Sequence, residues 1–544
     1  MINMIIINIM NNITNWWKNA IGYQIYIKSF YDSNNDGIGD LNGITLKLSY
    51  IKDLGVNFIW ICPFYDSPMD DNGYDIRNYY KVDKIYGTIN DLKLLIDKAH
   101  NFDIKVIIDL VLNHTSDEHE WFIKSENKIE PYTDFYIWKD DKKKRNKLLP
   151  PNNWQSFFSG SAWKFSEKRK QYYLKLFSNK MPDINYENEI VFTEIENIIK
   201  FYATLGIDGF RVDAIAHIGK DLSFKNAKNA KKSYKHFSNL PKTHEYLKIM
   251  NKIFNKYKMV TMGELGGNPT KKDLLMYTTE NELDLIFSFE HLKIFNKNHT
   301  INKNKLLKLL NFKNSICVNG GHSALFWLNH DYPRLVSKIK NEQDPLNAQL
   351  CLATLMYFLK GTPIIYNGEE IGMCNYPFNT PKDFKDVNAK MMFDNSKNIN
   401  KTLQHLKDNS RDNSRTIMQW SDETNAGFTK ATPWTYVNSN YKELNVTNQS
   451  LNKNSMLSNY KKLISLRKEL SNIINNGYFE FFYKNNMLGY FIKTDNAKYI
   501  IQANLSKKEI PLKYDIKTLL YTNITIQNNI LKPYCVIIAK LNNI

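Results

Sequence analysis

An eightfold alternation of short apolar runs with amphipathic segments constrains the fold of this chain more than any other feature. The runs that predict buried strands are 23–30, 56–63, 104–110, 207–213, 259–265, 283–289, 324–329 and 363–367. Segments with apolar residues at three- and four-residue steps lie between most of them, at 41–54, 92–102, 192–205 and 244–258. Parallel strands joined by crossover helices define an α/β architecture, and eight such units close a TIM (β/α)8 barrel.

Two stretches do not follow the alternation. Residues 115–182 are far longer than an ordinary connection, so we expect an inserted domain after the third strand, over the site. After a predicted helix at 455–470, short runs at 478–483, 487–492, 499–503 and 534–541 indicate an antiparallel β domain. The predicted organisation is an N-terminal extension at 1–14, the barrel at 15–114 and 183–474, an inserted domain at 115–182 and a C-terminal β domain at 475–544.

The formal net charge of +18 raises the question of a nucleic-acid partner. Lysine is spread along the whole chain, and the densest basic run, 139–147, contains aspartates and no interleaved aromatic residues. This pattern favours a solvated loop, so no nucleic-acid partner is expected; a steep salt dependence of DNA binding would revive that alternative.

The sequence predicts neither a membrane span nor a signal peptide. No apolar run reaches the roughly 20 residues of a membrane span. The apolar start, MINMIIINIM, lacks the basic region and cleavage site of a signal peptide. The five cysteines are scattered and show no CxxC spacing, which is typical of reduced core residues in a cytoplasmic protein. We expect a monomer or weak homodimer.

Acidic side chains follow several predicted strands, at the end of the barrel where such folds carry their chemistry. A single acid there is usually structural, and Asp109, inside an apolar run, is interpreted as a support for neighbouring loops. Several ionised groups together are costly unless the site uses them. The candidates are Arg211 and Asp213 after the fourth strand, Glu264 after the fifth, and His330 and Asp331 after the seventh.

These strand ends carry a family resemblance. DLVLNH, GFRVDA, MGEL and FWLNHD, in this order, resemble the four signature regions of the α-amylase-type glycoside hydrolases, family 13 of that class. MPDIN (181–185) is similar to a further motif of the family. The resemblance narrows to the oligo-1,6-glucosidase and α-glucosidase branch through DSNNDGIGD, DNGYDI, FFSGSAW, GTPIIYNGEEIGM and RDNSRTIMQW. It runs from about residue 15 to the end of the chain.

The resemblance implies retaining hydrolysis, which needs a nucleophilic carboxylate and a carboxylic acid about 5 Å apart. It assigns Asp213 as the nucleophile, Glu264 as the acid/base and Asp331 as the acid that stabilises the transition state. Arg211 precedes Asp213 by two residues, so on a strand both side chains share a face and the cation keeps Asp213 ionised. Glu264 needs a raised pKa to hold its proton at the working pH.

The resemblance also implies a sugar pocket that is blocked behind the terminal glucose. Its predicted lining comprises His114 and His330 as hydrogen-bonding groups, Asp71 and Arg415 on the terminal hydroxyl, Tyr74 as a stacking face and Phe158 from the inserted domain. Two of these have ordinary alternatives, because Tyr74 could be core and Arg415 a surface ion pair. The predicted product is glucose, released from the ends of short α-linked oligosaccharides.

A loop after the first strand places oxygen-bearing groups at alternate positions with a glycine sixth, as in the first part of an EF-hand. The twelfth position is Gly43 instead of glutamate, which excludes a true EF-hand. We expect a structural calcium ion there and no organic cofactor; the alternative is a turn held by Asx hydrogen bonds. The predicted ligands are Asp32, Asn34, Asp36, Ile38 and Asp40.

Linkage specificity and rival functions stay open. In this branch, alanine or threonine after the nucleophile accompanies α-1,4 activity, and this chain has Ala214; MPDIN in place of QPDLN agrees. Trehalose-6-phosphate hydrolase shares nearly every motif and needs cations for its phosphate. Sucrose isomerase would need an arginine-rich aromatic-loop motif that is not found. A non-catalytic, transporter-associated barrel would need a membrane helix and lost acids.

Overall fold

The computed structural model describes residues 15–144 and 147–542, so the predicted extension at 1–14 lies outside the described residues. Its centre is a ring of eight parallel strands. They are β1 (Gly22–Ile25), β2 (Phe58–Ile61), β3 (Lys105–Val111), β4 (Gly209–Asp213), β5 (Val260–Leu265), β6 (Leu285–Ser288), β7 (Ala324–Leu325) and β8 (Thr362–Tyr366). Their spatial order is β6-β5-β4-β3-β2-β1-β8-β7, and a parallel bridge between Ile286 and Ser323 closes the ring. The predicted TIM barrel is confirmed.

Every barrel strand is followed by a crossover that contains an α-helix. The helices are Leu41–Leu46 with Leu48–Leu54, Ile89–Asn101, Ile190–Leu205, Pro241–Lys256, Lys271–Thr279, Lys303–Val318, Pro345–Tyr357 and Met456–Glu469. Local signals set their ends: Thr88 and Asp91 form a capping box, and Gly206 ends its helix at φ 97°. The first predicted helix is two short ones because Lys47 leaves helical geometry at ψ 5°.

The inserted domain lies between β3 and helix Ile190–Leu205. It contains helix Glu120–Glu126, a hairpin of Lys142–Lys144 with Lys147–Leu149, and an antiparallel sheet of Trp138–Lys139, Gln171–Leu174 and Trp163–Ser166. A separate core of buried aromatic side chains, with Trp154 and Trp163 at its centre, stabilises it. Its strands are short and irregular, so the sequence shows little period-two alternation there.

The C-terminal domain is a five-stranded antiparallel sheet, as predicted. Its strands are β9 (Tyr478–Lys484), β10 (Met487–Thr494), β11 (Ala497–Asn504), β12 (Ile516–Thr522) and β13 (Val536–Leu541), in the order β9-β10-β11-β13-β12. The sequence did not predict β12. This edge strand is mostly exposed and its pairing with β13 is interrupted by register shifts, so it has no clean alternation.

Candidate active site

A cavity of about 780 Å³ opens at the carboxyl ends of the barrel strands. Most of the sequence-predicted catalytic and sugar-binding side chains line it together, although they come from five different strand-to-helix connections and the inserted domain. They are Asp71, Tyr74, His114, Phe158, Asp213, Glu264, His330 and Asp331. Arg211 and Arg415 do not line the cavity but lie directly behind its wall.

Arg211 is the centre of the acid cluster. Its guanidinium is fully buried and donates from Nη1 to Asp213 Oδ1 at 2.6 Å and to Asp109 Oδ1 at 2.5 Å. Its Nη2 lies 2.9 Å from Glu264 Oε2. The sheet register explains the convergence. Arg211 lies opposite Asp109 on β3. Asp213 and Glu264 each come one residue after Val212 and Gly263, the last positions at which β4 and β5 pair with each other.

Asp109 supports this cluster from below, as expected from its apolar surroundings. Its second oxygen accepts hydrogen bonds from Trp60 Nε1 at 2.8 Å and from the Tyr74 hydroxyl at 3.2 Å. Three carboxyls share one guanidinium; burial raises the pKa of Asp109 to about 6 despite Arg211. Burial also raises the pKa of Asp213. Arg211 lowers this pKa, but burial together with the carboxyls of Glu264 and Asp109 outweighs the effect of Arg211.

Ala214 connects the two candidate catalytic acids, Asp213 and Glu264, through its backbone. It adopts a left-handed conformation, with φ 47° and ψ 27°, and its N–H donates to Glu264 Oε2 at 3.1 Å. A left-handed residue with a side chain stores conformational strain, which is larger for a β-branched residue than for alanine. The residue after the candidate nucleophile is therefore constrained by backbone geometry as well as by its contact with the cavity.

The two histidines are neutral hydrogen-bond donors. Burial lowers the pKa of both His114 and His330 to about 3. Gln24 Nε2 donates to His330 Nδ1 at 2.8 Å, which assigns the ring proton to Nε2, 3.3 Å from Asp331 Oδ2. The Nε2 of His114 is buried, without a partner among the described residues, and its ring lines the cavity. Both rings can donate to a sugar hydroxyl.

Asp331 is held ionised. Burial alone would raise its pKa, but His330, which is protonated only in the acidic range where Asp331 titrates, acts together with Arg411 and Arg415 to outweigh burial and lower that pKa well below the usual range. Its Oδ1 lies 3.1 Å from Nη2 of Arg415 and 3.4 Å from Nη1 of Arg411. A fixed carboxylate of this kind can bind sugar hydroxyls and stabilise positive charge that develops on a sugar ring.

The inner wall of the pocket requires a correction to the predicted arginine. Arg411, not Arg415, lines the cavity and pairs with Asp71, with Nη2 2.7 Å from Oδ1. Arg415 is 1% exposed, and its guanidinium donates hydrogen bonds to the His330 carbonyl, Asp331 and Asp386. Both arginines belong to RDNSRT. The motif therefore identified the correct segment, but it did not show which of the two guanidinium groups, four residues apart, faces the pocket.

Two aromatic side chains complete the predicted pocket. The Tyr74 ring stacks on His330, with centroids 5.2 Å apart and planes 6° apart. Phe158 reaches the cavity from the inserted domain, and the Arg411 guanidinium lies over its ring at 4.9 Å. The sequence reasoning missed Phe177, which also lines the cavity and contacts Phe158 and His114. An isolated Phe between irregular strands carries no sequence signal.

A buried network behind His114 was also missed. Lys220 Nζ lies 2.8 Å from Asp183 Oδ2 and donates to Asn113 Oδ1 at 2.9 Å, while Asn113 donates to Asp183 at 3.1 Å. Asp183 is the acid of MPDIN, so the motif fixes the return from the inserted domain to the barrel beside the sugar pocket. The MPDIN motif contains Asp183 and so pointed to part of this network, but no motif or periodicity in the sequence identifies Lys220.

The predicted calcium loop follows the 3-10 helix Ile27–Ser29. Its carboxylates accept loop hydrogen bonds: Asp32 from the N–H groups of Asn34, Asn35 and Gly37, and Asp36 from that of Ile38. Asp40 caps helix Leu41–Leu46. The Asn34 amide nitrogen donates to Asp36 Oδ2 at 3.1 Å. The geometry matches the Asx-turn alternative, and calcium stays a prediction.

Comparisons with known proteins agree with this geometry. The family model for the α-amylase catalytic domain matches residues 24–477. The oligo-1,6-glucosidase of Bacillus cereus is 40% identical over 97% of this chain and 99% of that protein. The trehalose-6-phosphate hydrolase of Bacillus subtilis is 40% identical over 97% of this chain and 98% of that protein.

The structural comparison gives the same class. The crystal structure of isomaltulose synthase from Klebsiella sp. LX3 superposes with a TM-score of 0.91 at 34% identity, covering 97% of this chain and 99% of that one. The matched family model and the acids at the ends of the fourth, fifth and seventh strands together identify a glycoside hydrolase. The chain belongs to the α-amylase family of these enzymes. In the part of the chain that the structure describes, no helix is long and apolar enough to cross a membrane.

Proposed function

We propose that this enzyme is an exo-acting, retaining α-glucosidase that hydrolyses terminal α-linked glucose from short oligosaccharides. The observation that carries the proposal is the arrangement of Arg211, Asp213 and Glu264 at one end of a pocket whose inner wall is the Asp71–Arg411 ion pair. The acids supply the two carboxyl groups of a retaining mechanism. The ion pair leaves space for the end of a chain and not for its continuation.

In the proposed mechanism, Glu264 donates its proton to the glycosidic oxygen while Asp213 attacks the anomeric carbon and forms a glycosyl–enzyme ester. Glu264 then takes a proton from water, which attacks the same carbon and releases Asp213 and glucose. Arg211 donates to Asp213 at 2.6 Å and favours its ionised form, which the attack requires. His330, His114 and Asp331 bind the sugar hydroxyls and strengthen their contacts in the transition state.

Linkage is the finer part of the proposal. The B. cereus relative is named for the α-1,6 linkage, which supports α-1,6 activity. Ala214 supports the α-1,4 linkage through the correlation within the branch. We propose that the enzyme accepts α-1,6- and α-1,4-linked glucose. The second candidate, trehalose-6-phosphate hydrolysis, is supported by the equally similar B. subtilis relative.

We also propose a cytoplasmic location. The five cysteines support it, because all of them are free thiols and three are buried. Reduced thiols of this kind persist in the reducing environment of the cytoplasm.

The test is glucose release from maltose, isomaltose, trehalose, trehalose 6-phosphate and p-nitrophenyl α-glucoside. We expect glucose from at least the isomaltose and p-nitrophenyl substrates. Asp213→Asn should lower kcat by several orders of magnitude while the circular dichroism spectrum and the thermal midpoint are retained. Release of no glucose from any substrate, or full activity of Asp213→Asn, would refute the proposal.

A further inference from the structure

A buried carboxylate, Asp386, lies behind the inner wall of the pocket. It is 2% exposed and is not part of the cavity lining. Its Oδ2 lies 2.5 Å from Nη2 of Arg411 and 3.3 Å from Nη1 of Arg415. A buried carboxylate is costly unless it is paired, and here both cationic partners are the arginines of RDNSRT. The carboxylate therefore sits where it can control the orientation of the guanidinium groups.

The contacts of Arg411 show how its guanidinium is held. Nη2 donates to Asp71 Oδ1 at 2.7 Å and is paired with Asp386 on its other side, so two carboxylates fix this nitrogen. The guanidinium is planar and rigid, so fixing Nη2 restricts the direction of Nη1 as well. Nη1 makes one long contact, 3.4 Å to Asp331 Oδ1, which leaves it N–H capacity for a sugar hydroxyl.

Asp386 differs from the other two carboxylates around Arg411. Asp71 and Asp331 line the cavity, so a bound sugar competes with Arg411 for their oxygens. Asp386 lies outside the lining, so we expect its ion pair with Arg411 to persist when the pocket is filled. Burial would lower the pKa of Arg411, but the charges of Asp386, Asp71 and Asp331, in decreasing order, outweigh burial and raise it. Asp386 is thus the strongest electrostatic partner of this guanidinium.

The position of Asp386 is set by contacts other than those with the arginines. It is the N-cap of helix Val387–Asp394, and its Oδ1 accepts from the Ala389 N–H at 3.0 Å. Its own N–H donates to Asp412 Oδ1 at 3.1 Å, next to Arg411 in the chain. One carboxylate oxygen therefore caps the helix, and the other is directed at the guanidinium groups.

We propose that Asp386 is a positioning residue for Arg411, which holds the guanidinium so that Nη1 faces the terminal sugar. The inference rests on the proposed function, because it concerns the pocket in which the terminal glucose binds. Asp386 acts through Arg411 and does not touch the substrate. The affinity for the terminal sugar therefore depends on the start of helix Val387–Asp394, outside the lining of the pocket.

Asp386→Asn separates the two roles of the side chain. Asparagine caps helices as well as aspartate does, so its oxygen can stay on the Ala389 N–H. Its NH2 group then replaces Oδ2 and faces the N–H groups of Arg411. We expect KM for p-nitrophenyl α-glucoside and the inhibition constant of glucose each to rise about tenfold. The lost interaction is present in both the ground state and the transition state, so kcat should fall less than about threefold.

The matched control is Asp383→Asn, which removes an equal charge a few residues away. Asp383 accepts the N–H groups of Asn379 and Thr380 at 2.8 Å each, and it contacts no guanidinium in the described part of the chain. We expect it to change KM and glucose inhibition less than about twofold.

A second control tests whether Asp386 acts through Arg411. In an Arg411→Met background the guanidinium is absent, so Asp386 has nothing to position. Adding Asp386→Asn to this background should raise KM less than about twofold further. A tenfold loss that persists there, or a loss in Asp383→Asn as large as that in Asp386→Asn, would overturn the proposal.

The remaining outcomes also decide the proposal. If Asp386→Asn leaves KM and glucose inhibition within about twofold of the wild type, Asp386 does not position Arg411. If that variant does not fold, Asp386→Ser, which keeps a good helix cap, undergoes the same comparison. Glucose binding measured by calorimetry makes the test independent of turnover. A wild type that releases no glucose from any substrate refutes the glucosidase, whereas equal glucose affinity in the wild type and Asp386→Asn refutes the positioning.

Discussion

Replacement of Arg411 by lysine is the sharpest test of the blocked pocket. The guanidinium contacts three carboxylates at once: Asp71 at 2.7 Å, Asp386 at 2.5 Å and Asp331 at 3.4 Å. Lysine keeps the charge, but its single ammonium cannot reproduce the planar fork. Loss of one charge-assisted hydrogen bond, about 1.5–3 kcal/mol, corresponds to about a 10- to 150-fold fall in kcat/KM.

The matched control is Arg415→Lys, four residues away. Arg415 lies behind the wall and donates to the His330 carbonyl at 3.0 Å, so we expect this variant to lower the thermal midpoint more and kcat/KM less than Arg411→Lys does. The assay is glucose release from isomaltose and from p-nitrophenyl α-glucoside, with thermal unfolding followed by circular dichroism. If Arg415→Lys loses the larger share of kcat/KM, our assignment of the inner wall is incorrect.

Two further predictions concern stability. Glu369 is buried against the hydroxyls of Tyr357 and Tyr460, and burial raises its pKa to about 7, above the value of about 4.3 in an unfolded chain. The folded state therefore holds an extra proton between these values, and stability on the order of 3 kcal/mol is lost as pH rises through this window. Glu369→Gln should keep both hydrogen bonds and flatten the fall of the thermal midpoint; an unchanged pH profile would contradict this. For the calcium loop, we expect EDTA to lower the thermal midpoint of the calcium-loaded protein. At a calcium concentration about a hundredfold above Kd, binding stabilises the folded state by about 2.7 kcal/mol. Asp36→Asn keeps the turn to Ile38 and should remove the difference between the EDTA-treated and calcium-loaded protein. A wild-type thermal midpoint that changes with neither EDTA nor calcium would contradict the prediction of a metal site.

The barrel and its acids were predictable because their signals are local. A buried parallel strand is a short apolar run, and an acid directly after such a run is placed by the strand itself. The spacing of Arg211 and Asp213 required only the two-residue period of a strand, and the observed hydrogen bond at 2.6 Å follows from it.

The predictions that were wrong or missing concern residues whose positions depend on three-dimensional packing. Arg411 and Arg415 occupy one motif, and the turn of the 3-10 helix Arg411–Asn413 decides which side chain faces the cavity. Phe177 comes to the site through the fold of the inserted domain, and its neighbours in sequence give no period. Strand β12 is an edge strand with interrupted register, so its residues lack the alternation that identifies a half-buried strand.

The ion pair between Arg411 and Asp71 has a consequence for the order of events in turnover. Because the inner end of the pocket is closed, the freed glucose has no separate exit and must leave through the opening by which the substrate entered. The leaving sugar occupies that opening, so it departs first and glucose follows. A shortened chain therefore cannot slide inward for another cut; it must dissociate and bind again. We therefore expect turnover to be distributive, with free glucose competing with every new substrate molecule for the same closed pocket.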